Sequence, residues 1–485
     1  MIAQVMRQPN IIFILLDDLG WKDLGCYGSS FYETPYLDRL ASQGMRFTDA
    51  YASCPVSSPT RASILTGKYP ATVGVTNYIP GNAWGRLMGV PYFHELPEGE
   101  VTIAQALRDG GYHTYHVGKW HLGKEHRWPD KVGFEVNIGG CDWGLPHKGY
   151  FSPWGMPTLK DGPKGEYLTD RLTDEAIRLM RQAGDEPYFL HLSHYAVHIP
   201  IQAPPKLVAK YERKVHDLRL DKLETFRDGE HFPCLHKRDE RVRRRLVQSD
   251  PTYAAMIENL DTNIGRILDA LDRFGQAKDT IVIFTSDNGG LSTAEGSPTC
   301  NAPLSEGKGW MYDGGVREPL IVRWPGAVTP GSSCAVPVTS PDFFPTFLEA
   351  AGLPLMPRQH CDGVSLLPVL KGAGQLDRDA IFWHYPHYSN QGGTPACAVR
   401  SGDWKLIEFF EDGRLELYNL RDDIEEVYNL ANQHPQRVKQ LHQQLVAWRK
   451  SIEAKIPKVN PDYEDMLLEM APCPDGYGRI PGDDH

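Results

Sequence analysis

Apolar runs and amphipathic stretches alternate along most of this chain. Asn10 to Leu16 reads Asn-Ile-Ile-Phe-Ile-Leu-Leu and runs into Asp17-Asp18-Leu19-Gly20. An apolar run with no polar alternate predicts a strand over 11–16 covered on both faces, as in parallel sheets. The pattern returns at Thr280 to Ser286, followed by Asp287-Asn288-Gly289-Gly290, and predicts a second strand over 280–285. Helical spacing of apolar positions marks 36–44, 59–66, 102–110, 168–182 and the long stretch from Tyr253 to Phe274. Strand and helix signals that alternate from residue 10 to about 370 predict an α/β fold: a large, mostly parallel mixed sheet sandwiched between helices. The pattern changes near 376. Ala398 to Phe410 and Leu415 to Leu420 read as strands around Glu411-Asp412-Gly413, and a helix is expected from about Pro435 to Ala454. The chain thus divides into a large domain over 1–375 and a smaller C-terminal subdomain over 376–485, built of an antiparallel sheet and one helix. The stretch after Ile456, rich in Pro, Asp and Gly, is expected to wrap the surface.

Two acidic strand ends change this picture from architecture to chemistry. Open α/β sheets bind ligands beyond the C-terminal ends of their strands. Carboxylates gathered there, without histidine or thiolate, are the donor type of Ca²⁺ or Mg²⁺. Read singly, each pair is better taken as an ordinary strand-to-loop transition with capping acids. Ser57-Ser58-Pro59-Thr60-Arg61, followed by Ala62-Ser63-Ile64-Leu65-Thr66-Gly67, adds a hydroxyl at a predicted helix start. Pro59 suits the first helical turn, where a missing N–H costs nothing. Helix N-termini favour anions, and Arg61 brings a fixed charge one turn later.

This segment resembles the signature of type I, formylglycine-dependent sulfatases, in which Cys or Ser precedes x-Pro-Ser/Thr-Arg and a later Thr-Gly. Cys54 is out of register, with neither the proline nor the arginine at the required spacing, so Ser57 holds the nucleophile position. Ser57 is either a natural serine-type precursor or a replacement of cysteine. The resemblance continues through Gly118-Lys119-Trp120-His121-Leu122-Gly123, Val197-His198-Ile199-Pro200, and Lys308-Gly309 to Gly314-Gly315-Val316-Arg317-Glu318-Pro319. It implies an alkaline-phosphatase-like fold and one Ca²⁺ (Mg²⁺ less favoured) held by Asp17, Asp18, Asp287, Asn288 and an oxygen of residue 57. It also implies that Lys119 and Lys308 grip sulfate from two sides and that His121 touches the formylglycine hydrate. His198 would be the leaving-group acid, and Arg61 adds its fixed positive charge to those of the metal and the two lysines. A formylglycine-generating maturase is the implied partner. An unmodified serine has no second hydroxyl with which to expel sulfate. His113, His116, His191 and His194, within the same segments, read as structural.

Composition narrows the field. The 485 residues carry 51 Lys+Arg against 62 Asp+Glu, a net charge of −11, which argues against a nucleic-acid binder. An anionic substrate must therefore be drawn by a local positive site. Nine cysteines lack metal-ligand spacing and read mostly as buried thiols, with one or two disulfides expected in an exported protein. Met1 to Gln8 lacks an apolar signal core, and no run is long enough to span a membrane. A periplasmic or secreted location is expected for a chain whose leader has been removed, and a cytoplasmic one otherwise.

Two aromatic, polar segments read as sugar-facing loops: one with Asp142, Trp143, His147 and Lys148, the other with His384 and His387. Both read equally as packed loop aromatics. They resemble elements of bacterial carbohydrate sulfatases acting on 4-O-sulfated galactose or N-acetylgalactosamine, implying chondroitin or dermatan sulfate as substrate. The charged insertion between His198 and Tyr253 reads as a solvated helical face, or as a basic patch through Arg243, Arg244 and Arg245 that grips a polyanionic chain. Two other functions fit parts of this pattern. One is a phosphodiesterase or phosphonate monoester hydrolase of the same superfamily; the other is a sulfated-glycan binder in which Ser57 is never matured.

Overall fold

A computed structural model describes residues 8–81 and 83–469. Its centre is a nine-stranded sheet. The strands run in the order Ser332–Cys334, Met45–Tyr51, Arg317–Arg323, Thr280–Ser286, Asn10–Leu16, Tyr188–Ser193, His113–Gly118 and Val136–Ile138, with Val338–Thr339 beside Met45–Tyr51. Asn10–Leu16 pairs in parallel with both neighbours, and Arg317–Arg323 is antiparallel to both of its own. The sheet is therefore mixed and mostly parallel, as expected.

The unbroken apolar strand has a direct packing cause. Successive side chains point to opposite faces. Ile12, Ile14 and Leu16 enter a core with helices Pro35–Gln43, Leu168–Ala183 and Pro251–Arg273. Ile11, Phe13 and Leu15 enter a second core with Ser57–Thr66, Ile103–Asp109 and Phe343–Ala350. Both faces are covered, so every one of those six residues is buried. The longest helix starts where its sequence says it should: the Asp250 side chain accepts from the N–H groups of Thr252 and Tyr253, both at 2.9 Å.

The C-terminal part is a four-stranded antiparallel sheet, Ile381–Tyr385, Ala396–Ser401, Trp404–Phe409 and Leu415–Asn419, with helix Pro435–Ser451 on one face. Residues 398–410 fold as two strands, not one, because the chain turns at Gly402 and Asp403. The other face of this sheet packs Trp383, Ala398 and Ile407 against Tyr51, Val56, Met311 and Val316 of the larger part.

Three expectations need correction. The insertion forms a helix, Pro205–Asp217, and then a β-hairpin, Phe226–His231 with Arg241–Arg245, instead of a continuous helical face. His384 lies inside a strand and not on a loop, because the aromatic run around it fills the inter-sheet core. The eight cysteines among the described residues are free thiols; Cys473 lies outside them. Lys458–Val459 pairs with Leu87–Met88 and is followed by helix Tyr463–Glu469, and the rest of the tail also lies outside. Among the described residues, no helix is long and apolar enough to cross a membrane.

Candidate active site

Register brings the two acidic ends together. Leu16 pairs with Ser286, so Asp17-Asp18 and Asp287-Asn288 leave neighbouring parallel strands at the same level. The Asp18 N–H donates to Asp287 Oδ1 at 3.3 Å, and Leu19 N–H donates to Ser286 Oγ at 3.0 Å. Asp18 takes a left-handed conformation, φ 64°, uncommon outside glycine, which turns its carboxylate back over the strand ends.

Ser57 begins the helix Ser57–Thr66, whose ten residues are all buried and whose first turn no side chain caps. Its Oγ donates toward Asp17 Oδ1 at 3.2 Å and Asn288 Oδ1 at 3.3 Å. One turn on, Arg61 donates from Nε and Nη2 to Asp287 Oδ2, at 3.0 and 2.7 Å, and from Nη1 to Ser193 Oγ at 2.6 Å. Lys119 follows Gly118, whose φ of 105° and position against the Ser193 carbonyl leave no room for a Cβ. Lys119 Nζ lies 2.7 Å from Asp17 Oδ2 and 3.5 Å from Ser57 Oγ. On the other side, Lys308 Nζ lies 2.8 Å from Asp18 Oδ2 and 3.0 Å from His198 Nε2.

The electrostatics follow from burial and partners. Burial alone would raise the Asp18 carboxyl, but Lys308 and His198 outweigh it and hold it well below the usual carboxylate range. Burial raises Asp287 despite Arg61. His198 is pushed down to about 4 by burial and by the Lys308 charge. Burial and Lys119 push His121 well below the ordinary imidazole range; its Nε2 faces the Ile79 carbonyl at 2.5 Å while its buried Nδ1 has no protein partner. Such a neutral ring, with one nitrogen unspoken for, suits contact with a bound group.

The donor chemistry fits a hard cation. Asp17, Asp18 and His198 bring ligand atoms within 4.8 Å of one another, and Asn288 accepts from Ser57 beside them. Asp287 stands adjacent, with Arg61 on one of its oxygens. The carboxylate and amide oxygens of this set suit Ca²⁺ or Mg²⁺, and His198 brings one nitrogen beside them. No second such cluster occurs among the described residues, as a two-metal phosphodiesterase would require.

The structure brings together Asp17, Asp18, Ser57, Arg61, Lys119, His198, Asp287, Asn288 and Lys308. His121 adjoins them through Ser58, whose Oγ donates to the His121 carbonyl at 3.0 Å. The loop with Asp142, Trp143, His147 and Lys148 runs over this site: a Cβ at Gly144 would lie 2.9 Å from the His121 ring. Trp143 and His147 stack at 4.2 Å, and Asp142, His147 and Lys148 are exposed. His384 and His387 are placed differently. Both are buried, with His384 Nε2 on the Lys455 carbonyl at 2.9 Å and His387 Nε2 on Thr76 Oγ1 at 2.8 Å, so one ring nitrogen of each is spent on the protein, while His384 Nδ1 is buried without a partner. Of the three insertion arginines, only Arg243 is exposed. Arg244 is tied to Glu306 and Glu230, and Arg245 donates to the Ser297 carbonyl, which leaves no three-residue basic patch. Ser193, which receives Arg61, went unread in the sequence; its place at the C-terminal end of a sheet strand is the signal that could have found it.

Comparison with known proteins agrees with this geometry. A family model described as Sulfatase matches residues 9–353, and one described as N-sulphoglucosamine sulphohydrolase, C-terminal, matches residues 306–451. A sulfatase of Formosa agariphila is 33% identical, with 88% of this chain and 85% of that protein covered. The N-acetylgalactosamine-6-sulfatase of Rattus norvegicus is 31% identical, covering 83% and 72%. The crystal structure of Ps i-CgsB in complex with k-i-k-neocarrahexaose superposes with a TM-score of 0.74 at 27% identity, over 95% of this chain and 97% of that one. With its mixed sheet, its acidic strand ends and these relatives, the chain belongs to the sulfatase family, with an alkaline-phosphatase-like fold and the activity of a sulfuric ester hydrolase.

Proposed function

We propose that this protein removes sulfate esters from a sulfated glycan, with the 4-O-sulfate of N-acetylgalactosamine or galactose units, as in chondroitin or dermatan sulfate, as substrate. The observation that carries the reading is the placement of Ser57 Oγ. It sits at an uncapped helix start, between Asp17 and Asn288, with Lys119 Nζ 3.5 Å away. Asp17, Asp18, Asp287, Asn288 and the oxygen of residue 57 would hold Ca²⁺, which supplies Lewis-acid stabilisation of a bound sulfate. Formylglycine at residue 57 would, as its hydrate, supply two hydroxyls on one carbon, one to attack sulfur and one whose loss of a proton expels sulfate and restores the aldehyde.

The chain's own residues account for the rest. Lys119 and Lys308 would receive sulfate oxygens from opposite sides, exchanging contacts now made with Asp17 and Asp18. Preorganised cations of this kind lower the barrier where negative charge develops. Arg61 fixes Asp287 and, through Ser193, the end of strand Tyr188–Ser193. His198, beside Lys308, would face the departing sugar oxygen. Asp142, Trp143, His147 and Lys148 would read sugar hydroxyls and stack on a ring face. The buried His384 and His387 would act only by shaping the wall behind.

The N-acetylgalactosamine-6-sulfatase of Rattus norvegicus is named for the same sugar but a different position, the 6-sulfate. Sulfate release from matched 4-O- and 6-O-sulfated disaccharides decides between them. The proposal expects kcat/KM at least tenfold higher on the 4-O-sulfated unit, and preference for the 6-O-sulfated one would refute it. Ser57 itself favours a second reading, a glycan binder that never turns over. Sulfated-disaccharide binding without sulfate release, in protein co-expressed with a maturase, would establish that reading.

A further inference from the structure

We infer that Arg244, on the hairpin inserted between His198 and Tyr253, is a positioning residue for Lys308: it clamps both sides of the loop that carries this lysine over the sulfate position. The inference rests on the reading of Lys308 as a sulfate contact. Arg244 donates from Nε to both oxygens of Glu306, at 3.0 and 2.8 Å, and from Nη2 to Oε1 at 2.7 Å. Its guanidinium also lies over the ring of Trp310, 5.5 Å from the centroid. Glu306 and Trp310 stand two residues before and two after Lys308, so a single planar group touches both flanks of the loop. Forked geometry of this kind fixes orientation as well as distance, which a lysine at 244 would not do.

The arginine is itself held from behind. Glu230, on the opposite hairpin strand, pairs with Nη1 and Nη2 at 3.0 and 2.8 Å. The hairpin is in turn docked on the segment that follows Asn288: Arg243 N–H donates to the Thr293 carbonyl at 3.1 Å and Arg245 N–H to Ser292 at 3.0 Å. Ser292 Oγ donates to the Glu306 carbonyl at 2.8 Å. The insertion thus joins the segment after the acidic strand end to the Lys308 loop.

The loop needs such a clamp. Glu306 has φ 60°, an uncommon backbone state for a side chain of its size, which persists only where surroundings hold it. Gly307 lies so close to the Gly290 carbonyl, 2.3 Å from a notional Cβ, that the loop cannot shift toward the sheet. Backbone bonds fix the main chain at Lys308 and Gly309, to Gly290 and Pro55. Of the side chains flanking Lys308, Glu306 is held by Arg244, and Trp310 lies under the Arg244 guanidinium while its Nε1 donates to Thr293 Oγ1 and the Gln391 carbonyl.

The test is a binding cycle on the unmatured Ser57 protein with Ca²⁺, using phenyl sulfate as ligand and calorimetry as readout, so that no turnover is required. Arg244→Ala is expected to weaken binding roughly three- to tenfold in the parent and to have no further effect on top of Lys308→Ala. An equal loss in both backgrounds, or no loss in the parent, would overturn the inference. If Lys308→Ala leaves binding unchanged, the reading of Lys308 fails first and takes the inference with it, a result distinct from the other two. Glu306→Gln, which keeps the loop's volume, supplies the same cycle should Arg244→Ala not fold, and Arg244→Lys should fail to restore binding.

Discussion

Arg61 shows how one side chain serves fold and chemistry together. It is 2% exposed, yet it spends its donors on Asp287, Ser193 and the Lys119 carbonyl, at the ends of three strands of one sheet. Replacing it leaves Asp287 as an uncompensated buried carboxylate, a change that typically costs about 3–5 kcal/mol. Arg61→Ala should therefore lower the unfolding free energy by that order in denaturant titration as well as abolish activity. A loss of stability below about 1 kcal/mol would show that Arg61 does not hold the strand ends. Residues such as this were legible in the sequence because their signals are local: an acid pair after an apolar run, a hydroxyl before Pro and Arg. Arg244 was not. Its partner Glu306 lies 62 positions away, and nothing in a charged run says which of its arginines is already taken. His384 and His387 misled for a related reason, since aromatic rings with histidines fill a buried sheet as readily as they face a sugar.

At the scale of elements, helix Pro35–Gln43 lacks a side-chain cap of its own. Asp261, from the middle of helix Pro251–Arg273, supplies one by accepting from the N–H groups of Tyr36 and Leu37 at 3.1 and 2.7 Å. Burial lifts its carboxyl from 3.8 to about 7, backbone donors notwithstanding. The folded state therefore holds this proton more tightly than the unfolded chain does. The contribution is complete below pH about 4 and is lost as pH rises to about 7, by up to about 4 kcal/mol. Asp261→Asn should flatten the fall in thermal midpoint between pH 4.5 and 7, while costing about 1 kcal/mol at the acid end through one lost acceptor. An unchanged slope would place the titration elsewhere. The elements themselves were largely readable, since strand and helix periods are local. The order of the sheet was not, because Arg317–Arg323 inserts antiparallel between strands distant in sequence.

For the whole molecule, the division read at 375/376 is a proposal about organisation, and the packing across it argues against two parts that fold separately. Tyr51, Cys54, Val56, Met311 and Val316 share one apolar cluster with Ile381, Trp383, Tyr385, Ala398 and Ile407. Buried charges also cross it: Arg400 pairs with Asp49 at 2.6 Å, and Lys405 pairs with Asp313 at 2.8 Å. A fragment of residues 1–375 would expose that face and strand Asp49 and Asp313 without these partners. It should aggregate or lose its near-ultraviolet circular dichroism, whereas a monodisperse fragment with native aromatic signals would contradict the packing account.

The central claim is that residue 57 is a formylglycine precursor in a sulfate-ester hydrolase, and mass spectrometry of one peptide tests it most directly. Trypsin releases Phe47 to Arg61, and fragmentation locates any change within it. From protein co-expressed with a maturase, the account predicts a peptide two hydrogens lighter at Ser57, accompanied by sulfate release. An unmodified serine in that peptide, with no sulfate released, would contradict it and leave a sulfated-glycan binder in its place.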